Sequence, residues 1–398
     1  MLNILVGVTF LLFIGYAILI VYYRQSWLQI HDHQPLTTDH RYTTTISIII
    51  PARNEEENIK DCLHSIAKQS YPKNLFTVIV VDDFSTDRTA DVVSSFPEVQ
   101  LISLNNFVSE KINSYKKKAI EVAIQNSTGE LIVTTDADCI VPENWLQTIA
   151  SFYEKEQATF IAMPVLISNG NKCIEIFQSL DFMTLQGITG ASVNKKFHSM
   201  CNGANLAYTR QAFEEVDGFK NIDAIASGDD MLLMHKIAER YPDKVKFLKS
   251  TKVIVQTKPV ASISEFFNQR IRWASKADKY NDKSILPVLV VVYFLNLLML
   301  VLPIAAFIQN VHFSFFTFHF SFFEVWILLL VLKTSVELFF LLPVASFFNR
   351  KKLLWWFPVA QPFPPLQLLV RATLRWSTRF WQVEYCLSQK GRSQQWRE

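Results

Sequence analysis

Apolar residues are concentrated near both ends of the chain, in stretches that contain few charges. Residues 2–22 are almost uncharged and match the ~20 residues that a helix needs to cross a bilayer. Residues 285–308 and 322–348 form two more such stretches, and the second contains Lys333 and Glu337, which could pair on one helical face inside a bundle. A cleaved signal peptide fits the first stretch less well than a retained anchor at 1–24, because a basic start and a small-residue cleavage site are missing.

The middle segment, residues 43–280, alternates short apolar runs with amphipathic segments. Val- and Ile-rich runs occupy 44–51, 76–83, 99–104 and 130–138, and 55–69 carries Ile59, Leu63 and Ile66 at helical spacing. Asn54 with Glu57 predicts a capping box at the start of that helix. Buried strands that alternate with helices are typical of a parallel sheet covered on both faces. The pattern therefore predicts a separate α/β domain.

Basic residues near the apolar stretches predict the orientation of the chain. Arg24 follows the first stretch, Arg350 to Lys352 follow the third, and the connector 309–321 contains no Lys or Arg. Because loops rich in Lys and Arg stay in the cytoplasm, the 43–280 domain is expected inside and the connector outside, in a plasma or inner membrane. Two transmembrane helices would then occupy 284–348.

A fourth apolar stretch, 353–370, is broken by four prolines and flanked by basic residues. An interfacial or re-entrant segment followed by a basic cytosolic tail is therefore expected for 353–398, although a full crossing stays open.

Composition excludes several other classes of protein. The 39 Lys and Arg residues exceed the 36 Asp and Glu residues by only three, too small an excess to indicate a nucleic-acid partner. The five cysteines are widely spaced without a C-x-x-C motif, so neither a disulfide framework nor a zinc site is indicated. The chain lacks the dinucleotide fingerprint G-x-G-x-x-G, and it has only 10 glycines, which disfavours a nicotinamide dehydrogenase.

Acidic residues follow three of the predicted strands. Ligands of parallel α/β sheets bind beyond the carboxyl ends of the strands, where Glu55, Asp82 with Asp83, and Asp136 with Asp138 are expected. Asp136 and Asp138 are two apart on a strand end, so their carboxylates leave from one face. Hard oxygen ligands of this kind favour Mg²⁺ or Mn²⁺ completed by substrate phosphates. Glu55 and one residue of the Asp82–Asp83 pair could accept hydrogen bonds from a base or ribose.

Two further clusters lie later in the domain. Asp229 and Asp230 begin an amphipathic helix, where they could serve as a helix cap or as a general base. Gln269, Arg272 and Trp273 share one helical face just before the second apolar stretch. That helix could lie on the membrane surface, or Arg272 could contact a diphosphate while Trp273 forms a stacking wall.

The middle segment carries five short motifs in order. They are P-A-R-N-E-E (51–56), V-D-D-F-S-T-D (81–87), D-A-D (136–138), G-D-D-M-L-L (228–233) and Q-R-I-R-W (269–273). The ordered set resembles the membrane-bound inverting glycosyltransferases of family two, the group of cellulose synthase, hyaluronan synthase and ceramide glucosyltransferase. The resemblance covers about residues 46–274.

This resemblance implies an α/β fold of the GT-A type, Rossmann-like, which binds a nucleotide-sugar with Mg²⁺ or Mn²⁺. It implies that Asp230 is the catalytic base and that Asp136 and Asp138 hold the metal. The implied nucleotide-sugar-binding residues are Glu55, Asp82, Asp83, Lys116, Asp136, Gln269, Arg272 and Trp273. Lys116 resembles the lysine of a G-K-x-x-A-L stretch, with Tyr115 in place of the glycine. Residues 201–210 resemble an acceptor-side loop and 390–392 a basic motif of the tail.

The implied activity is inverting transfer of a sugar, expected from a UDP-sugar, to a lipid-linked or glycan acceptor at the membrane. Two alternatives stay open. One is a processive polysaccharide synthase, for which two C-terminal spans are few, and the other is an inactive transferase-like scaffold. Gly-Asp-Asp in place of the Thr-Glu-Asp or Glu-Asp of the synthases is a departure from the family pattern. The sequence leaves open the sugar, the nucleotide, the acceptor and the oligomeric state.

Overall fold

A computed structural model gives the fold of the chain. It describes all residues except 1, 36–40, 109–111, 169, 171, 197–199, 224, 226–227, 275–284, 310–311, 316–317 and 362–398. At residues 2–4, 271–274, 285–286, 306–309, 312–315 and 318–322 it describes the backbone alone. Two compact units result: an α/β unit of Val21–Ile285 with Phe339–Leu354, and a helical unit of Met1–Ile20, Leu286–Leu338 and the chain from Trp355.

The strands of the α/β unit are short and buried. They are β1 Ile46–Ala52, β2 Phe76–Asp82, β3 Val99–Ser103, β4 Leu131–Thr134, β5 Phe160–Ala162, β6 Val165–Ile167, β7 Leu206–Thr209, β8 Val245–Phe247 and β9 Val255–Thr257. The helices of this unit are α2 Ile59–Ala67, α3 Thr89–Ser94, α4 Tyr115–Gln125, α5 Trp145–Glu156, α6 Cys173–Asn194, α7 Arg210–Glu215, α8 Met231–Arg240 and α9 Ile263–Ala274.

Seven strands form one twisted layer in the order β3-β2-β1-β4-β7-β5-β8. The first four are parallel, as the alternation of strands and helices predicts. Strand β7 runs antiparallel to both of its neighbours, whereas β8 is parallel to β5, so the prediction of a parallel sheet is wrong at β7. Strands β6 and β9 pair separately as a small parallel sheet. Helices cover a core of Ile and Val side chains that are almost completely buried.

The predicted capping box at Asn54 is wrong. Helix α2 begins at Ile59, with Asn58 at the N-cap position. Asn54 has a φ of +56°, the left-handed conformation that Asn tolerates better than most residues. Its Oδ1 accepts hydrogen bonds from the backbone N and the hydroxyl of Thr86. The side chain therefore joins the loop after β1 to the loop after β2.

Three helices in the described part of the chain are long and apolar enough to cross a membrane. They are α1 Leu2–Gln29, α10 Ile285–Gln309 and α11 Phe322–Phe347, and an antiparallel pair of short strands, β10 His312–Phe315 and β11 Phe318–Ser321, lies between α10 and α11. A 3₁₀ turn, Lys351–Trp356, and the short helix α12 Phe357–Ala360 follow. Of the fourth apolar stretch, residues beyond 361 lie outside the described part.

The predicted pairing of Lys333 with Glu337 is confirmed in the helical unit. The Lys333 ammonium lies 2.6 Å from Glu337 Oε1 and 2.9 Å from Gln361 Oε1. The Gln361 amide and the Tyr16 hydroxyl also donate to the Glu337 carboxylate. This cluster joins α1, α11 and the residue after α12 by buried polar contacts.

Candidate active site

The predicted acidic residues meet at one edge of the sheet. Strands β2, β1 and β4 are parallel neighbours, so their carboxyl ends lie side by side. Glu55 follows β1, Asp82 ends β2 with Asp83 directly after it, and Asp136 with Asp138 follows β4. The sequence predicts the ligand site at this edge of the sheet.

Hydrogen bonds between two loops hold Glu55 in place. Its backbone N donates to Thr89 Oγ1 at 2.7 Å, and its carboxylate accepts from the Asn58 amide at 2.9 Å. Burial raises the pKa of Glu55, and the negative charges of Asp138 and Asp136 raise it further, against the lowering effect of Asn58. Glu55 therefore belongs to the same electrostatic cluster as the carboxylates after β4.

Asp82 and Asp83 are buried carboxylates that still have acceptor capacity. Among the described residues, no donor bonds Oδ1 of either side chain. Arg53 Nη1 lies 3.9 Å from Asp83 Oδ2. Burial raises the pKa of Asp83, and Arg53 offsets part of that effect. Buried acceptors of this kind suit the N–H or O–H groups of a bound ligand.

Lys116 joins the strand edge to the second acidic cluster. Its ammonium lies 2.7 Å from Asp136 Oδ1 and 3.4 Å from Asp229 Oδ2. Burial alone would lower the pKa of Lys116, but the carboxylates of Asp136 and Asp229 outweigh it and raise the pKa. The ammonium is therefore charged, and it lies between residues that are 93 positions apart in the sequence.

The carboxylate of Asp138 is oriented by two neighbours. The Thr257 hydroxyl donates to Oδ2 at 2.9 Å, and the Cys139 thiol lies 3.5 Å from Oδ1. Burial raises the pKa of Cys139 well above its usual value, so this group stays a thiol. It is thus a weak donor here and not a thiolate ligand.

Asp136 and Asp138 fit a hard divalent cation that takes its remaining ligands from the substrate. Within the described residues, no group of three or more His, Cys, Asp and Glu side chains is arranged to hold a metal. Asp136 and Asp138 offer two carboxylates, and Mg²⁺ commonly binds one or two carboxylates and completes its shell with substrate phosphates.

Asp230 is both a helix cap and part of the site. Its Oδ1 accepts from Met231 N at 2.7 Å, which makes it the N-cap of α8. Its Oδ2 accepts from Gly203 N at 3.2 Å, and the carbonyl of Gly203 accepts from the Thr134 hydroxyl at 3.0 Å. The loop that resembles an acceptor-side loop therefore connects the end of β4 to Asp230.

The backbone of Gly203 lies close to the Asp229 carboxylate and the Lys116 ammonium. A Cβ there would lie 3.2 Å from Asp229 Oδ2 and 3.5 Å from Lys116 Nζ. Gly228, just before Asp229, has a φ of +87°, which glycine adopts without strain. Both glycines allow the acidic pair to approach Lys116 and the Gly203 backbone.

The motif 269–273 lies on α9, as predicted, and Gln269 is half-buried. The side chains of Arg272 and Trp273 and the tail motif 390–392 lie outside the described residues. Helix α9 begins with Ser262 and Glu265, whose side chains bond each other's backbone N–H groups at 3.1 and 3.3 Å. The helix packs against α6, where Arg270 Nη2 lies 2.5 Å from Asp181 Oδ2.

Sequence reasoning missed several residues of this site. Thr257 contacts Asp138 but belongs to an ordinary strand sequence. Gly203 contacts Asp230 and was not singled out within the 201–210 loop. Asp229 was assigned no partner, although it faces Lys116 at 3.4 Å. The glycine in C-N-G-A-N was the signal that the sequence offered, because glycine often marks a close approach of the backbone.

The chain is similar to known glycosyltransferases. Residues 47–217 match the family described as Glycosyl transferase family 2. The chain is similar to glycosyltransferase AglE of Haloferax volcanii, with 28% identity over 186 residues, or 46% of this chain and 58% of AglE. The chain thus spans less than two thirds of AglE.

A second relative and one solved structure extend the comparison. A Methanococcus voltae enzyme, a dolichyl N-acetyl-alpha-D-glucosaminyl phosphate 3-beta-D-2,3-diacetamido-2,3-dideoxy-beta-D-glucuronosyltransferase, is 24% identical over 58% of this chain and 72% of its own. The mannosyltransferase PcManGT of Pyrobaculum calidifontis, solved with GDP-Man and Mn²⁺, superposes with a TM-score of 0.57 at 19% identity, over 94% of this chain and 98% of that chain.

Residues 47–217 therefore match a family-two glycosyltransferase domain, and the predicted resemblance to that family is confirmed over those residues. The predicted GT-A-type α/β fold with apolar helices that could span a membrane is confirmed as well.

Proposed function

We propose that the protein transfers a sugar from a nucleotide-diphosphate sugar, expected to be a UDP-sugar, to a lipid-linked or glycan acceptor. The observation that carries this proposal is the contact of Lys116 with both Asp136 and Asp229. The Lys116 ammonium thus contacts a carboxylate on the predicted donor side of the site and another on the predicted base side. A transferase needs this proximity, because the donor carbon and the acceptor hydroxyl must meet.

The donor would bind across the strand edge. Asp82 and Asp83 provide buried acceptors for the nucleoside, half-buried Glu55 provides another carboxylate, and Lys116 provides a positive charge for the diphosphate. Gln269, Arg272 and Trp273 on α9 are assigned to the diphosphate and acceptor side on the resemblance alone.

Mg²⁺ or Mn²⁺ would be held by Asp136 and Asp138, and when bound it neutralises charge on the departing diphosphate. Thr257 keeps the Asp138 carboxylate oriented through its hydrogen bond. Lys116 supplies a second positive charge on the same side. The protein thus stabilises the leaving group with groups that are already in place.

Asp230 would take the proton from the acceptor hydroxyl. An attack from the face opposite the diphosphate inverts the anomeric configuration. The bonds from Met231 N and Gly203 N fix both carboxylate oxygens of Asp230, so the base is oriented before the acceptor arrives. The cap and the base are therefore compatible roles for one residue.

The membrane arrangement is part of the proposal. Three long apolar helices support an integral membrane protein, and the loop charges support a cytoplasmic 43–280 domain with the connector 309–321 outside. The boundaries 1–24, 284–348 and 353–398 stay predictions. Single cysteines introduced at Lys60, Ser314 and Arg350 and labelled in sealed vesicles test the topology, with Ser314 expected alone on its side. Labelling of all three on one side would contradict it.

Nucleotide-sugar screening tests the activity. Purified full-length protein is incubated with a panel of labelled donors, with Mn²⁺, with Mg²⁺ or with a chelator. We expect one donor to be consumed only with metal, and Asp136→Ala and Asp138→Ala to abolish transfer. The exposed residue Asp61 provides the matched control, since Asp61→Ala should keep full activity.

The same assay separates the alternatives. Near-normal turnover of both variants would remove the metal assignment. Products that grow by many sugars would favour the processive synthase. Absence of both transfer and donor hydrolysis with every donor would favour the inactive scaffold.

A further inference from the structure

Phe84 has a backbone conformation that its side chain does not favour. Its φ is +56°, in the left-handed region where residues other than Gly, Asn and Asp are uncommon. The residue directly follows the Asp82–Asp83 pair at the end of β2. Strain of this kind persists where the surrounding structure enforces it, and it often occurs at functional sites.

The unfavourable conformation brings the Phe84 ring against Tyr115. The ring centroids are 5.4 Å apart and the ring planes are nearly perpendicular, at 85°. Both side chains are half-buried. In such an edge-to-face pair, the ring that presents its edge keeps its own faces for other contacts.

The Phe84–Tyr115 pair adjoins two charged parts of the proposed donor site. Phe84 adjoins Asp83, whose Oδ1 is a buried acceptor without a bonded donor among the described residues. Tyr115 begins α4 and adjoins Lys116, whose ammonium contacts Asp136. The aromatic pair therefore links the hydrogen-bond acceptor of Asp83 on one side of the site to the positive charge of Lys116 on the other.

A nucleoside diphosphate has the same succession of groups. Its base and ribose carry hydrogen-bond donors, and its diphosphate carries negative charge. A flat aromatic surface between these two parts suits the face of a base or ribose, because stacking on aromatic rings tolerates any base.

We propose that Phe84 and Tyr115 form an aromatic wall that contacts the nucleoside of the donor. This inference rests on the proposed function and extends it, because it adds two residues that bind the nucleoside and not the diphosphate. The sequence shows the same feature as a departure, since Tyr115 stands where the resembling stretch has glycine.

Three variants of the full-length protein test the wall. Phe84→Asn removes the ring and places at that position a residue that tolerates positive φ. Tyr115→Leu removes the other ring, and Tyr115→Phe is the matched control that keeps it. Isothermal titration with UDP, GDP and ADP in the presence of Mn²⁺ measures nucleoside binding, and titration with pyrophosphate measures the diphosphate part alone.

The expected pattern differs for each probe. Phe84→Asn and Tyr115→Leu should each weaken the preferred nucleoside diphosphate by roughly tenfold or more, the scale of one lost base–aromatic stack. Pyrophosphate affinity should not change, and Tyr115→Phe should bind like the wild type.

The outcomes separate the wall from a structural contact. Unchanged nucleoside affinity in both ring-removing variants would overturn the inference, as would an equal loss of pyrophosphate binding. If Phe84→Asn failed to fold, Tyr115→Leu would still decide between these results. A wild-type protein that binds none of the three nucleoside diphosphates would contradict the proposed function itself.

Discussion

Two lysine–carboxylate ion pairs, one in each unit of the protein, have similar distances but different surroundings. Lys116 lies 2.7 Å from Asp136, and Lys333 lies 2.6 Å from Glu337. The bond lengths are nearly equal, but the side chain of Lys116 is 37% exposed and that of Lys333 only 4%. The numbers of charges around them differ as well.

The cluster around Lys116 contains more negative than positive charge. Asp136 and Asp229 both contact its ammonium, and Asp230 adds a third negative charge nearby. Among the described residues, the cluster around Lys333 is balanced, because one carboxylate, that of Glu337, contacts the ammonium and Gln361 and Tyr16 contribute neutral groups. An excess of carboxylates at an accessible edge favours a cationic ligand, whereas a buried pair must be neutral overall to be tolerated. We therefore assign binding to the first cluster and helix association to the second.

The largest effect is expected at Asp230 in the unbalanced cluster. Asp230→Asn cannot accept the proton of the acceptor, so transfer should slow by about 10²–10⁴-fold. The amide can still cap α8 through Met231 N, but its NH₂ group then faces Gly203 N, so we expect a modest loss of stability. Donor affinity should stay close to that of the wild type. Transfer rate, donor affinity and melting temperature are measured together.

Asp229→Asn is the matched comparison for that variant. Asp229 contacts Lys116, whereas Asp230 is the proposed base and accepts from the Gly203 backbone N–H, so the loss of Asp229 should slow transfer less. A lower melting temperature of Asp230→Asn with unchanged turnover per folded molecule would restrict Asp230 to capping.

The second largest effect is expected when the balanced cluster loses one charge. Glu337→Leu leaves Lys333 buried without its carboxylate, and breaking a buried pair in this way costs about 3–5 kcal/mol of stability. The double variant Lys333→Met with Glu337→Leu removes both charges and should recover most of that loss. Thermal unfolding in detergent measures both. Equal instability of the two variants would show that Glu337 acts independently of Lys333.

The sequence predicted the parts of the fold that have long periodic patterns. The three apolar stretches became α1, α10 and α11, and the Val- and Ile-rich runs became β1 to β4. Strands β5, β6, β8 and β9 have three residues each, too few for a hydrophobic period to be recognised. The antiparallel direction of β7 depends on tertiary pairing, so local sequence carried no sign of it.

The candidate site was predicted as a set of residue types but not as a set of contacts. Strand-end carboxylates could be placed at one edge because parallel strands align their carboxyl ends. The Lys116–Asp229 contact and the Thr257–Asp138 bond join distant segments. Asn54 shows the opposite error, because a local capping pattern was read where the side chain bonds a neighbouring loop.

Lys116 itself tests whether the unbalanced cluster is a donor site. Lys116→Met should weaken binding of nucleoside diphosphate and of pyrophosphate alike, each on the order of tenfold, the worth of one charge-assisted hydrogen bond. This pattern differs from the aromatic wall, where pyrophosphate binding is retained. Lys117→Met is unsuitable as a control, because Lys117 is buried and bonds two backbone carbonyls. Lys118, which pairs with Glu121 on the same helix, provides the control variant Lys118→Met, which should bind like the wild type.

The smallest effect is expected at Glu55. Loss of this carboxylate should stabilise the protein, whereas loss of Glu337 from the balanced cluster should destabilise it. Burial and the charges of Asp138 and Asp136 raise the pKa of Glu55 in the folded protein, so the folded state binds its proton more tightly than the unfolded chain does. The free energy of unfolding therefore falls as pH rises from the unfolded pKa of Glu through the raised folded pKa, and the penalty persists at neutral pH. Glu55→Gln lacks this penalty and still accepts from Asn58. Without ligand, this variant should therefore melt slightly above the wild type at pH 7. At pH values below the unfolded pKa of Glu, the two proteins should melt at the same temperature. Melting curves across that pH range test the sign, and a lower melting temperature of Glu55→Gln at pH 7 would contradict an excess of negative charge at this edge.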